Sequence, residues 1–439
     1  MKRVLAALVA AAPVVGCSLV GCHEIQPPIR PELVLLLSID TLRADHVGCY
    51  GYSPPTTPTL DALCRRGVVF LGARAHAPST LLSHGSILTS QIPQHHGGSH
   101  VQSRPLAASA PTLAEAFHSA DWATLAITGG GQMAAEYGFA RGFEAYETVT
   151  GRFDETVDRF LDRHRAILDD DPAAKTFAFL HTYEVHHPYE PTLDDLVLFD
   201  RGYSGPLPSD TSVDLLRKIN RGEIELTPRD LEYIVATYDA EIRSVDRALG
   251  RLLRAIGDEV DILLAVTSDH GEAFGERGRV GWHSLTLHEE MLAVPLILFG
   301  KGVVSDRRVE QTVRSIDIGP TLLESSGVAI PTSFQGRSLV PFLRGEDMAV
   351  PDLVVAYGEV ENRPPFHAIA QDGWKLYEDA LFHLPCDPDE LHDKASSEVD
   401  RTRALRRHLR ELLVDSPHGS RTVDLQDETL EQLEALGYL

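Results

Sequence analysis

Two carboxylates and a histidine stand where apolar runs give out. Asp40 closes "ELVLLLSID", and Asp269 with His270 closes "DILLAVTSDHGE". Carboxylate oxygens are hard ligands for a divalent cation, and an imidazole nitrogen suits zinc or a similar transition ion. These residues are far apart in the chain, so only a fold that gathers strand ends can assemble them. A third feature is "HAPSTLLSHGSILTSQIPQHHG", His76 to Gly97, which has the rhythm of a nucleophile loop running into a helix and contains no cysteine. Its hydroxyls near the helix start are Ser79, Thr80 and Ser83. Residue type alone reads Thr80 as an N-cap bonding its own helix, and an aspartate at a strand end as a helix cap.

The elements that must position these groups are short apolar runs ending in polar or glycine-rich residues. "ELVLLLSID", "WATLAITGGG", "TFAFLHTYEVHH", "DILLAVTSDHGE" and "VPLILFGKG" have strand composition, and helical patterns lie between them. Alternation of this kind predicts an α/β fold with a doubly wound, mostly parallel sheet. In such sheets ligands collect at the carboxyl ends of the strands, where Asp40, Asp269 and His270 fall. The clearest helix runs from Pro228 to Ile256, with apolar residues at three- and four-residue steps, Thr227-Pro228 at its start and Gly257 at its stop. "TPTLDALCRRG" opens and stops in the same style, and both read as core-packing helices. After about residue 345 the texture changes to short strands, "LVVAYGEV", "FHAIAQDGWKLYE" and "ALFHL", followed by a terminal helix in "DETLEQLEALGYL". The expectation is a catalytic domain over 33–345 and a smaller C-terminal α+β subdomain over 346–439.

The formal charge of -24 repels nucleic acid, so no nucleic-acid partner is expected. An anionic substrate is repelled too unless a bound cation reverses the local potential. At the start, Lys2 and Arg3 precede an apolar run from Val4 to Val15 and then a cysteine, which reads as a signal peptide over 1–22. "LVGC", ending at Cys22, resembles a bacterial lipobox, with "VVGC" at Cys17 as a competing lipidation site. Residues 23–32, proline-rich and polar, suit a tether. The expected location is the periplasm or cell envelope, with a lipid anchor in the membrane. Cys49, Cys64 and Cys386 remain in the mature chain, an odd and scattered set that predicts no disulfide framework and has no CxxC zinc spacing.

"SIDTLRADHVGCYGY" from Ser38 resembles the opening motif of the sulfatase family within the alkaline phosphatase superfamily. The resemblance continues in order through "TPTLDALCRRGVVF", the loop at His76, "GFARGFEAYE", "HTYEVHHPY", "SDHGEAFGERG", "TLHEEMLAVPLILFGKG", "SIDIGPTLLESSGVAIPTSFQGRSL" and the terminal "LEALGYL". It implies metal ligation by Asp40, Asp269 and His270. Thr41 stands where the family often carries a second aspartate, which removes one expected ligand. Formylglycine sulfatases carry Cys or Ser at the head of a C-x-P-x-R segment. Registered on it, "TLLSH" puts Thr80 at the nucleophile, Leu82 at the proline and His84 at the arginine, so no formylglycine is expected.

The resemblance therefore implies a threonine nucleophile, as in the superfamily's phosphodiesterases and phosphoethanolamine transferases, with Thr80 also a metal ligand. Backbone amides at its helix start favour charge developing on a sulfuryl or phosphoryl oxygen. His283 and His186 match positions that protonate the leaving oxygen, bind a substrate oxygen or hold a second metal, so one or two ions are expected. His84 is the candidate substrate contact, and His181 and His187 are weaker candidates. The expected activity is metal-dependent hydrolysis of sulfate or phosphate esters of a glycan, lipid or small molecule. The family's lysine-tryptophan-histidine segment and its lysine near "HSLTLHEE" are missing, which weakens ordinary sulfate ester hydrolysis. A phosphoryl transferase and a degenerate envelope glycan-binding homologue are the alternatives. Residues such as Arg43, Asp45, Asp317 and Gln335 read as turn and packing elements.

Overall fold

The computed structural model describes residues 29–349, 352–413 and 422–438. The expected signal peptide, both candidate lipidation cysteines and most of the expected tether lie outside the described residues.

A strand with helices on both faces must be apolar on both, and β1 (Leu33–Ile39) is buried at every position. It lies centrally in an eight-stranded sheet formed with β2 (Val68–Arg74), β3 (Ala123–Thr128), β4 (Ala145–Thr148), β5 (Thr176–Thr182), β6 (Ile262–Thr267), β7 (Leu296–Gly300) and β8 (Arg307–Arg314). The order is β4-β3-β5-β1-β6-β7-β2-β8. All neighbours are parallel except β7, which runs antiparallel to β6 and β2. Register places the site: Ile39 pairs with Thr182 and Ser38 with Thr267, so Asp40 and Asp269 leave adjacent strands near one level.

One face of the sheet is covered by the Pro228–Ile256 helix, with Phe153–Asp170 and Pro58–Cys64 beside it. The long helix starts with a Thr227–Asp230 capping box and stops at Gly257, in accord with its Thr-Pro and Gly signals. The other face carries Thr80–Thr89, Leu113–His118 and Ile318–Ser326. Strands β2, β4 and β8 add to the five apolar runs of the sequence. The scattered cysteines require a correction: Cys49 and Cys64 form a disulfide, because the Gly48–Tyr50 turn packs beside the end of the Pro58–Cys64 helix, while Cys386 is free and exposed.

The smaller sheet is antiparallel, β12-β11-β10-β9, formed by β9 (Leu353–Val360), β10 (Arg363–Gln371), β11 (Trp374–Tyr377) and β12 (Ala380–His383). Its helix is Val399–Leu413, with Leu405 buried against Val355, Ile369 and Leu376. The terminal helix, Asp427–Ala435, lies instead against Gly131–Met133 of the large domain. A buried ionic cluster joins the domains. Lys375 Nζ on β11 is 2.9 Å from Glu289 Oε1 and 3.0 Å from Glu390 Oε1, and Glu289 Oε2 is 2.6 Å from Arg74 Nε.

Candidate active site

Strand ends bring Asp40, Asp269 and His270 together with ligand atoms within 4.8 Å of one another, and all three residues are fully buried. Asp269 Oδ1 is occupied, accepting from the backbone N–H of Thr41 at 3.2 Å and of His270 at 2.9 Å. Asp40 Oδ1, Asp269 Oδ2 and His270 Nε2, by contrast, have no hydrogen-bond partner. His270 Nδ1 donates to the Gly271 carbonyl, so Nε2 presents a lone pair in the neutral ring, 3.3 Å from Asp269 Oδ2 and 4.0 Å from Asp40 Oδ1. A lone pair facing two carboxylates is repulsive unless positive charge lies between them. Titration follows the same logic. Burial pushes the Asp40 carboxyl up to about 6, and burial together with Asp40 raises Asp269. Burial works against a charged His270, yet the Asp269 and Asp40 carboxylates outweigh it and its pKa rises. Three unpartnered buried donor atoms of this chemistry fit a divalent cation.

Other groups hold these ligands in place. Gly129 N–H donates to His181 Nδ1 at 3.2 Å, so His181 Nε2 carries its proton and donates to Asp40 Oδ2 at 3.1 Å. Thr41 adopts φ 56, which turns its N–H toward Asp269, while its hydroxyl donates to the Val185 carbonyl. Thr41 thus fixes Asp269 through its backbone N–H, with its own hydroxyl taken up by Val185.

Ser79 is the N-cap of the helix Thr80–Thr89, so Thr80 is its first helical residue and not the cap. Thr80 Oγ1 donates to Asp40 Oδ2 at 3.3 Å and lies 2.9 Å from the Tyr438 hydroxyl. Ser83 Oγ is engaged elsewhere, donating to the Asp269 carbonyl at 2.6 Å. The placement of His84 corrects its reading as a substrate contact. Its ring is buried behind Thr80, with Nδ1 donating to the Thr80 carbonyl and Nε2 2.9 Å from Ser38 Oγ, because i and i+4 share the inner face of this helix.

Across from Thr80 stand His186, His187 and His283, another group of ligand-type nitrogens within 4.8 Å of one another. His186 Nδ1 donates to the His187 carbonyl, and His283 Nδ1 is 3.4 Å from Glu272 Oε1, so both Nε2 lone pairs face inward. Burial holds His283 down at about 4 and His186 well below the ordinary histidine value. Glu272 is fully buried, and its Oε2 is 3.4 Å from His187 Nδ1 and accepts from the Tyr189 hydroxyl at 3.3 Å. A cavity of about 410 Å³ adjoins His186 and His187, lined also by Arg152, Tyr183 and Glu184 on one side and Leu436 on the other.

Asp40, Asp269, His270, Thr80, His186 and His283 therefore converge. Glu272 and Tyr438 are the groups that sequence reasoning missed. Glu272 was within reach, two residues after His270 in the same strand-end loop; Tyr438 carries no local signal beyond its place in "LEALGYL".

The family described as Sulfatase matches residues 32–328, and N-sulphoglucosamine sulphohydrolase, C-terminal, matches 278–416. Arylsulfatase K of Bos taurus is 27% identical over 208 residues, 43% of this chain, and the match spans only 38% of that relative's length. Among solved structures, a 2-O GAG sulfatase aligns with TM-score 0.70 at 21% identity, covering 91% of this chain and 96% of that one. The phosphonate monoester hydrolase of Agrobacterium radiobacter aligns with TM-score 0.69 at 20% identity, covering 88% and 95%. With the eight-stranded sheet, the small antiparallel sheet and a family match over most of its length, the chain belongs to the sulfatase family.

Proposed function

We propose that this chain is a metal-dependent hydrolase of sulfate or phosphate esters with Thr80 as nucleophile. One observation carries the reading: the Thr80 hydroxyl, first in its helix, touches Asp40 beside three unpartnered buried ligand atoms. Asp40, Asp269 and His270 would hold the cation, with Thr80 as a further ligand. When bound, a divalent cation supplies Lewis acidity that lowers the pKa of the threonine hydroxyl and offsets the charge of the ester.

The protein's own groups do the rest. Thr80 Oγ1 gives its proton to Asp40 Oδ2, to which it already donates, and attacks sulfur or phosphorus in line as the bond to the leaving oxygen breaks; Asp40 Oδ2 returns that proton to the Thr80 oxygen when water resolves the ester. The ester's remaining bulk extends into the cavity beside Tyr183 and Arg152. An approaching anionic ester raises the proton affinity of the neutral His186 and His283 rings. One Nε2 then delivers a proton to the leaving oxygen, and in the second half takes it back from the water that resolves the Thr80 ester. A threonine ester cannot break its own carbon-oxygen bond as a formylglycine hydrate can, so this chemistry favours phosphoryl over sulfuryl groups. Family membership and fold likeness to a 2-O GAG sulfatase support sulfated glycans as the other substrate class. Export and lipid anchoring rest on Leu19 to Cys22, and the disulfide Cys49–Cys64 accords with an oxidising compartment.

The test is a panel of nitrophenyl sulfate, phosphate and phosphodiester with metal-loaded protein, and mass spectrometry of the Thr80 peptide after brief exposure to the substrate that turns over. A sulfuryl or phosphoryl adduct on Thr80 is expected, and Thr80→Ala should lower kcat on the order of 10⁴-fold or more. Transfer to an added alcohol in preference to water would identify a transferase. Absence of both metal and turnover would leave a glycan-binding homologue.

A further inference from the structure

Tyr438, one residue from the end of the chain, puts its hydroxyl 2.9 Å from Thr80 Oγ1, 3.1 Å from His186 Nε2 and 3.4 Å from His283 Nε2. Reacting atoms approach to about 3–3.5 Å before an in-line attack. The tyrosine oxygen thus stands where the sulfur or phosphorus of an ester would have to be. Behind it Thr80, Asp40, Asp269 and His270 are completely buried. Substrate and the C-terminal segment cannot occupy this place together.

The geometry points to Asp427–Tyr438 as a cap built into the chain, with Tyr438 as a stand-in for substrate that must withdraw before each ester binds. The inference rests on Thr80 being the nucleophile. The segment's attachment suits withdrawal. Only Thr429 and Leu433 of its helix are buried. Beyond the contacts of the Tyr438 hydroxyl, hydrogen bonds among the described residues run from Gly131 N–H to Gln432 Oε1 at 2.8 Å, from Thr429 Oγ1 to Glu136 Oε1 at 3.2 Å, and from Arg217 Nη2 to the Gly437 carbonyl at 3.3 Å. Gly437 is the pivot. Its φ is 83°, and a Cβ there would lie 3.0 Å from Val213 Cγ1 and 3.3 Å from His187 Nε2. Only glycine turns the chain through that gap and drops Tyr438 onto Thr80. The cavity beside the site is lined on one side by Gln432, Ala435 and Leu436, so withdrawal also widens the space for the leaving group.

The test compares the full chain with Tyr438→Ala and with a chain shortened to end at Gln426. Modification of His186 and His283 by diethyl pyrocarbonate, followed peptide by peptide in the mass spectrometer, reads access without needing turnover. Both variants should react at least ten-fold faster than the full chain. Equal rates in a shortened chain with unchanged melting would overturn the cap. With whichever nitrophenyl ester turns over, Tyr438→Ala should show a lower KM at a retained kcat. A kcat loss of a hundred-fold in Tyr438→Phe would overturn it as well, because the hydroxyl would then take part in chemistry. Failure of the nucleophile reading shows separately, as a Thr80→Ala variant that keeps its activity.

Discussion

Two buried clusters of charge in this molecule have the same acidic content and opposite completeness. Where the small sheet meets the large domain, Glu289 and Glu390 face Lys375 and Arg74, two cations for two carboxylates. At the strand ends, Asp40 and Asp269 share a pocket with the single ring of His270, whose Nε2 lies 3.3 Å from Asp269 Oδ2 and 4.0 Å from Asp40 Oδ1 and whose pKa they raise. Lys375 is 1% exposed and its pKa rises, because Glu289 and Glu390 outweigh its burial; burial likewise works against a charged Glu289, yet Arg74 and Lys375 hold its carboxyl down at about 2. Asp40 moves the other way, up to about 6, because burial outweighs the pull of His270 and its hydrogen bonds. A cluster that is neutral as folded fastens two bodies together. The cluster at the strand ends is short of positive charge, which the proposed cation would supply.

Removing one of the proposed ligands should have the largest effect. Asp269→Asn should abolish stoichiometric metal, read by elemental analysis, and lower turnover by about 10³-fold. Metal-free, the variant should melt no lower than the parent, because it loses an unpartnered buried carboxylate oxygen. A variant that retains its metal would sink the assignment of the ligand set.

The interdomain cluster should respond in the reverse sense. Lys375→Met strips the shared cation from Glu289 and Glu390, and breaking a buried pair from one side costs about 3–5 kcal/mol. Denaturant titration should show that loss while metal content per folded molecule stays at the parent level. A loss below about 1 kcal/mol would mean that water reaches the carboxylates and that the two clusters differ less than their burial indicates.

The same contrast explains what the sequence disclosed. The convergence of Asp40, Asp269 and His270 was legible because each follows a doubly buried apolar strand, and the carboxyl ends of such strands open together on one side of the sheet. Strands β4 (AYET) and β8 (RRVEQTVR) lie at the edges of the sheet and alternate or lack apolar residues, so no apolar run marked them. Lys375 gave no sign of burial, since a lysine becomes buried only when carboxylates from other elements enclose it. Tyr438 reaches Thr80 by tertiary convergence alone, as does Cys49 its partner Cys64. His84 misled because its match to a family position says nothing of which side of the helix it lies on.

Glu241 falls between the two clusters in how far its charge is paired. It is 2% exposed on the long helix, accepts from the Glu190 N–H at 2.8 Å, and has Arg152 Nη2 at 3.5 Å. That guanidinium sits closer to Glu184, at 2.6 Å, so Glu241 has only part of a cation. Burial pushes its carboxyl from 4.5 up to about 8, against the pull of Arg152. Near neutral pH the folded chain therefore holds a proton that the unfolded chain has released. Protons bound in excess by the native state make stability fall as pH rises, here from about 4.5 until the folded carboxyl ionises near 8. Glu241→Gln keeps an acceptor for the Glu190 N–H and cannot ionise. At pH 5 the two chains should be nearly equal in stability. By pH 9 the variant should be ahead by about 1–3 kcal/mol, read as a flatter dependence of the urea midpoint on pH. If the two pH curves ran parallel, Arg152 would already be neutralising Glu241, and this carboxylate would belong with the compensated cluster at Lys375.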